Sequence, residues 1–111
     1  MANPSSSKGK IKDTVPKLVD FIDNTIYGDI WQRPELSKRD RSLITVSALI
    51  AMRATDQMRS HMEKALDNGV TPEELTELIT HLAMYAGTPA AVSAALIARP
   101  VLVEAGFVKP D

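Results

Sequence analysis

From Thr14 onward, the apolar positions of this chain recur at helical spacing. Val15, Leu18, Val19, Ile22 and Ile26 are separated mostly by three or four residues. With Pro16 tolerated in the first turn and Gly28 as a stop, they predict a first helix. Pro34 pushes Arg33 out of helical geometry, so residues 32–35 read as a connector. Ser37 predicts an N-cap, with Asp40 at the reciprocal capping position, for a second helix reaching about Met52. Thr55 predicts the cap of a third helix, whose stripe is Met58, Met62, Ala65 and Leu66 and whose stop is Asn68-Gly69. Thr71-Pro72-Glu73-Glu74 joins a cap, a first-position proline and first-turn acids, the clearest helix start in the chain. That fourth helix carries Leu75, Leu78, Ile79, Leu82 and Ala86 and closes at Gly87. Thr88-Pro89 repeats the start for a fifth helix reaching about Ala105, with a kink or break expected at Pro100. No segment alternates as a strand. The pattern predicts an all-α bundle of five to six helices, one domain over residues 11–109. The polar, Ser-rich residues 1–10 read as a disordered arm.

Two of these helices are apolar nearly all round. Between Leu43 and Met52 only Thr45 and Ser47 are polar, and from Ala90 to Val103 only Ser93, Arg99 and Pro100 depart from apolar character. A helix of that kind must be covered on every side. Five helices of this size cover one such element at their centre, not two, so a homo-oligomer is expected.

Composition narrows the chemistry. The 111 residues carry a formal net charge of −1, with 13 basic side chains scattered along the chain. That balance argues against nucleic acid or a membrane surface as the main partner. No run approaches the roughly 18 apolar residues of a membrane span, and no cleavable apolar leader is visible, so the chain reads as cytoplasmic. With 0 cysteines there is no disulfide, thiolate metal site or cysteine nucleophile. His61 and His81 stand twenty positions apart without local ligand spacing, so neither a metal nor a cofactor is expected.

Three stretches then carry a resemblance. YGDIWQRPELSKRDRSLIT (residues 27–45), RSHMEKALDNGVTPEEL (59–75) and HLAMYAGTPAA (81–91) together resemble the carboxymuconolactone decarboxylase family. The resemblance implies an alkylhydroperoxidase D-like helical fold, assembly as a trimer or hexamer, and cofactor-independent loss of carbon dioxide in aromatic-acid catabolism. Thiol peroxidases in the wider family use a Cys-x-x-Cys pair, a histidine four residues on and an upstream glutamate. Here those places hold Ala54, Gln57, His61 and Ser42, so a peroxide-reducing cycle has no thiol to run on.

Decarboxylation of a carboxylated unsaturated lactone needs only what side chains supply. The departing electron pair delocalises onto the lactone carbonyl. The protein must hold carboxylates, stabilise the enolate oxygen and protonate carbon. Arginine suits the first task through its planar fork, and Arg33, Arg39 and Arg41 gather near the start of the second helix. Arg41 and Arg33 are the substrate-binding candidates; the alternative for each arginine is a surface position or an ion pair with Asp40 or Glu35. His61 borders the third helix's apolar stripe and is the leading proton donor, the alternative being a packed structural histidine. His81 and Tyr85, one turn apart, form either a second proton-transfer pair or a hydrogen-bonded pair at an interface. Trp31 offers an apolar wall for a ring or a packing side chain. Glu63 is the discordant residue, since an arginine is common at that place in the decarboxylases and an acid repels a polycarboxylate. The partner expected is therefore a small carboxylate-bearing substrate. The remaining readings are a non-catalytic helical oligomer that binds a small acid or a protein, and a helix-turn-helix module disfavoured by the charge.

Overall fold

Helical spacing becomes helix along most of the chain, and no strand occurs among the described residues, 7–111, of this computed structural model. The fold is all-α. Most of the N-terminal arm, residues 1–6, lies outside the described residues, and Ser7–Lys10 form one helical turn, α1. The chain divides into two compact units, one up to Lys38 and one from Arg39 to Asp111.

In the first unit, α2 (Pro16–Phe21) starts with its proline in the first turn, where no backbone hydrogen bond is lost. It widens into a π-helical turn at Ile22–Tyr27, then stops at Gly28. A Cβ on Gly28 would lie 2.8 Å from the carbonyl oxygens of both Asp23 and Asn24, so glycine is required there for space. A short 3-10 turn, Ile30–Gln32, follows, and the Gln32 amide donates to the Tyr27 carbonyl at 2.9 Å. Arg33 is extended (φ −68°, ψ 133°), as its place before Pro34 demands. The π widening and the 3-10 turn were not expected, because neither changes the spacing of apolar residues enough to show in the sequence.

The second unit holds the main core. It comprises α3 (Lys38–Met52), α4 (Thr55–Asp67), α5 (Pro72–Ala86) and α6 (Thr88–Glu104). α6 packs against α4 and α5. Its small residues Ala90, Ala91, Ala94 and Ala98 are buried and permit close approach. Into the same core go Val46 and Ile50 of α3, Met58, Met62 and Ala65 of α4, and Leu75 and Ile79 of α5.

Polar links join the helices around that core. The Arg39 guanidinium pairs with Asp40 at 2.9 Å and with Glu74 at the start of α5. Asn68, just beyond α4, donates to the Ser42 hydroxyl of α3 at 3.0 Å. Arg59 of α4 reaches Glu104 of α6 at 2.9 Å.

Helix ends separate good signals from weak ones. Thr71 forms a full capping box: its hydroxyl accepts from the Glu74 N–H at 3.1 Å, and its own N–H donates to the Glu74 carboxylate at 2.9 Å. Thr55 and Thr88 do not cap. Each is the first helical residue, and the caps are Ala54 and Gly87, without a side-chain bond. Gly87 instead supplies a φ of 97° for the reversal between α5 and α6. Nor does α6 break at Pro100; it continues to Glu104. The rest of its ladder and the burial of Ala98, Val101 and Leu102 outweigh one missing hydrogen bond.

Candidate functional site

Helix α4 sorts its side chains into three stripes because residues three, four and seven apart share a face. The core stripe is Met58, Met62 and Ala65, each no more than 1% exposed. On one flank lie Arg59, Glu63 and Leu66. On the other lie His61, Lys64 and, past the helix end, Asn68.

The flanks face different neighbours. Arg59 holds the Glu63 carboxylate at 3.5 Å and Glu104 of α6 at 2.9 Å, so that flank looks toward the end of α6. Asn68, just past the end of the His61 flank, is bonded to Ser42 of α3. The glutamate that looked discordant in the sequence therefore stands on the opposite flank from His61, neutralised by an arginine.

His61 is half-buried, and among the described residues it makes no hydrogen bond. Partial burial lowers its pKa from the ordinary value near 6.5, and the ammonium of Lys64, one turn on, lowers it further. The neutral imidazole is therefore favoured in the free protein. When it is protonated, it is a stronger acid than an ordinary histidine.

Arg41 is half-buried on α3, next in the chain to the buried Ser42. Arg39, its neighbour two residues back, is committed to Asp40 and Glu74, the structural alternative foreseen for these arginines. His81 and Tyr85 lie together on α5 with ring centroids 5.3 Å apart. Both are exposed, Tyr85 by 77%. Among the described residues, no hydrogen bond or ring contact joins them to His61. In the first unit, Trp31 stacks on Tyr27 at 5.8 Å, and Arg33 lies 3.8 Å from Glu35, so each has a local partner.

The three residues at the thiol-peroxidase places are equally informative. Ser42 is buried and serves as the acceptor for Asn68. Ala54 and Gln57 stand at the start of α4, which the chain enters through Arg53 in the left-handed region (φ 58°). That conformation is uncommon for a side chain with a Cβ. A separate shallow groove of about 340 Å³ at the end of α6 is lined by Arg99, Pro100, Val103, Glu104, Pro110 and Asp111 and includes none of the candidates.

Lys64 carried no motif that would have singled it out in the sequence. Its spacing of three from His61 was the signal that would have placed the two side by side. The Asn68–Ser42 link had no sequence signal, because it spans two helices.

Comparison with known proteins covers the same region. Residues 16–100, which contain every candidate residue, match the carboxymuconolactone decarboxylase family. The chain is 40% identical over 87 residues to 4-carboxymuconolactone decarboxylase of Acinetobacter baylyi, covering 78% of this chain and 65% of that protein. It is 34% identical over 83 residues to nitrosuccinic acid decarboxylase of Metarhizium robertsii, covering 75% of this chain and 58% of that protein. An uncharacterised protein of Paracoccus denitrificans is 32% identical over 80 residues, covering 70% of this chain and 60% of its own length. The chain thus spans about three-fifths of the length of the curated relatives it matches. On the extent of the family match and the identities with these relatives, the chain belongs to the carboxymuconolactone decarboxylase family.

Proposed function

We propose that this protein is a cofactor-independent decarboxylase acting on a small carboxylic acid that carries its own electron sink. The observation that carries the reading is the similarity, over three-quarters or more of the chain, to two decarboxylases whose named substrates share that property. In 4-carboxymuconolactone the sink is the conjugated lactone carbonyl. In nitrosuccinic acid it is the nitro group. Either takes up the electron pair of the breaking carbon–carboxylate bond, as an enolate or a nitronate oxygen, without help from a metal or an organic cofactor.

In this reading, Arg41 binds a carboxylate by two parallel charge-assisted hydrogen bonds. Once carbon dioxide has left, His61 in its protonated form donates a proton to carbon, collapsing the enolate, and recovers a proton from water. One carbon–carbon bond breaks, one carbon–hydrogen bond forms, and no redox change of the protein is involved. The exposed His81–Tyr85 pair is the next proton-transfer candidate. Arg33 and Trp31 are tested separately as binding residues. Aromatic-acid catabolism and a cytoplasmic setting belong to the same proposal.

Assembly is part of the reading. Met84 and Tyr85 on α5, and Val92 and Leu96 on α6, are exposed by more than half, as are Ile44 and Met52 on α3. Apolar side chains on three helices of one small unit are what a homo-oligomer, trimer or hexamer, would cover. Sedimentation at micromolar concentration is expected to show an oligomer, and a monomer would refute the assembly.

The function is tested by steady-state decarboxylation of 4-carboxymuconolactone and of nitrosuccinate, with and without a chelator. Turnover of either, unaffected by the chelator, is the expected result. Absence of turnover of both, by an intact oligomer, would favour the non-catalytic reading. Reduction of alkyl hydroperoxides by a dithiol is expected to be undetectable.

A further inference from the structure

Residues 78–98 contain no Asp, Glu, Lys or Arg, although at the chain's 24% charged content about five would be expected in a stretch of that length. The stretch is not all core. It runs through the end of α5, the reversal at Gly87 and the first three turns of α6, and it leaves Met84, Tyr85, Val92, Ser93, Ala95 and Leu96 exposed. Met84, Tyr85, Val92 and Leu96 are large, and they are exposed by 70%, 77%, 58% and 70%. A helix on the surface of a lone domain sets charged and polar residues opposite its apolar stripe. α6 instead buries Ala90, Ala91, Ala94 and Ala98 and turns uncharged residues outward. α5 and α6 pack on each other. Met84 and Tyr85 come just before the reversal and Val92 five residues after it, so all three lie within about 8 Å of Gly87 along their helix axes, with Leu96 one turn further. The exposed groups therefore gather at one end of the helix pair.

We propose that the uncharged face at the α5–α6 reversal is a self-complementary docking surface, on which a second copy of the chain sets the same face across a twofold axis. This rests on the assembly reading for the existence of an oligomer, and it specifies which surfaces meet. A twofold contact pairs each patch with its own copy, and a face without charge repels nothing when set against itself. The four large side chains alone expose on the order of 600 Å², most of the roughly 800 Å² that each partner gives to a standard interface. Ser93 and Ala95 are small and lie between Val92 and Leu96, which leaves room for the large side chains of the other copy. A lipid surface fits the face less well. Helices that lie in a membrane interface carry Lys or Arg on their polar side, and this stretch has neither. Tyr85 then belongs to the contact, and His81, with its ring 5.3 Å away, borders it. Of the two roles open to that pair in the sequence, this is the interface one.

A chain with 0 cysteines makes the test clean. One cysteine at a time is introduced into the full-length protein, as Ser93→Cys or Ala95→Cys on α6, or as Ser60→Cys on the exposed side of α4. Each variant is treated with a short bismaleimide and read on a denaturing gel. Identical positions on two copies come within reach of each other only where a twofold axis runs close by. Ser93→Cys and Ala95→Cys are expected to give at least about tenfold more covalent dimer than Ser60→Cys, because a held contact raises the local concentration far above that of free copies. Leu96→Glu and Leu96→Lys each set like charges together near the axis and should weaken self-association by about a hundredfold in sedimentation. An equimolar mixture of the two should recover most of it. Leu96 is 70% exposed, so both variants should keep wild-type helix content by circular dichroism.

Dimer from neither α6 position, in a protein that sediments as an oligomer, overturns the inference and leaves the assembly reading in place. So does unchanged sedimentation of both Leu96 variants. A wild-type monomer sinks the two together. Capture of wild type, but not of Leu96→Glu, by phosphatidylcholine vesicles would show that lipid covers the face and would also overturn the inference. Cross-linking as expected in a protein that decarboxylates nothing would sink the proposed chemistry alone.

Discussion

The two flanks of α4 carry similar residues to opposite ends. Arg59 and Glu63 sit a turn apart and satisfy each other, with Glu104 of α6 completing the network. His61 and Lys64 also sit a turn apart, yet burial and then the ammonium lower the pKa of the imidazole, which makes no hydrogen bond among the described residues. The first arrangement ties two helices together and leaves little net charge for a ligand. The second favours a neutral imidazole and leaves it without a hydrogen bond among the described residues. Perturbed titration arising from burial plus a specific charge neighbour marks candidate functional positions for this reason. Position on the helix, rather than residue type, separates the structural ion pair from the candidate site.

The strongest way to break the comparison is to remove the imidazole. His61→Gln is expected to lower kcat by about 10²–10⁴, the usual contribution of general acid–base catalysis, with the oligomer unchanged. Equal rates for wild type and variant would remove His61 from the chemistry and bring forward His81 with Tyr85. The wild-type pH profile sharpens the point. If protonated His61 is the acid, kcat/KM should fall as pH rises through a pKa below about 6.5. Bound carboxylates raise that pKa, so the fall in kcat should lie at higher pH. Stability should move oppositely. The folded protein holds the His61 proton less well than the unfolded chain, so stability is highest above the ordinary histidine pKa and declines as pH falls below it. His61→Gln should flatten that slope.

Between the flanks runs the core stripe, and its disruption should damage both alike. Met62→Ala removes a fully buried side chain and should cost about 2–5 kcal/mol in chemical denaturation. A loss below 1 kcal/mol would mean that the core collapses around the gap.

How much of this was legible in the sequence follows from the range of each interaction. The four long helices were visible because their apolar spacing is local, and Thr71 was read correctly because a capping box lies within four residues. Thr55 and Thr88 misled because a threonine beside a helix start is compatible with either the cap or the first turn. The surroundings of Glu63 were only partly legible. Its partner Arg59 is only four residues away, but its network is completed by Glu104, 45 residues from Arg59, and such long-range pairs have no local signal. The candidate residues were therefore readable one by one, whereas their neighbours were set by packing.

Arg41 tests the carboxylate-binding role proposed for α3. Arg41→Ala should raise KM by about 10–100-fold with kcat little changed, if the guanidinium binds ground state and transition state equally. An equal fall in kcat and kcat/KM would instead place Arg41 at the developing enolate. Unchanged kinetics would remove Arg41 from carboxylate binding.

The smallest effect is expected on the satisfied flank, and its smallness is the point. Glu63→Gln removes one charge from a network whose members are all substantially exposed: 51% for Arg59, 44% for Glu63 and 64% for Glu104. Exposed ion pairs contribute about 0–1 kcal/mol, because water screens them and two long side chains must be held still. Arg59 also keeps its shorter contact to Glu104. Stability by chemical denaturation should therefore fall by less than about 1 kcal/mol, and KM and kcat should stay within about twofold of wild type, a shift of under half a kcal/mol. If Glu63→Gln instead lowers KM severalfold for a dicarboxylate, the acid does repel substrate at the site, and the separation of the flanks fails as an account of why this chain tolerates glutamate there.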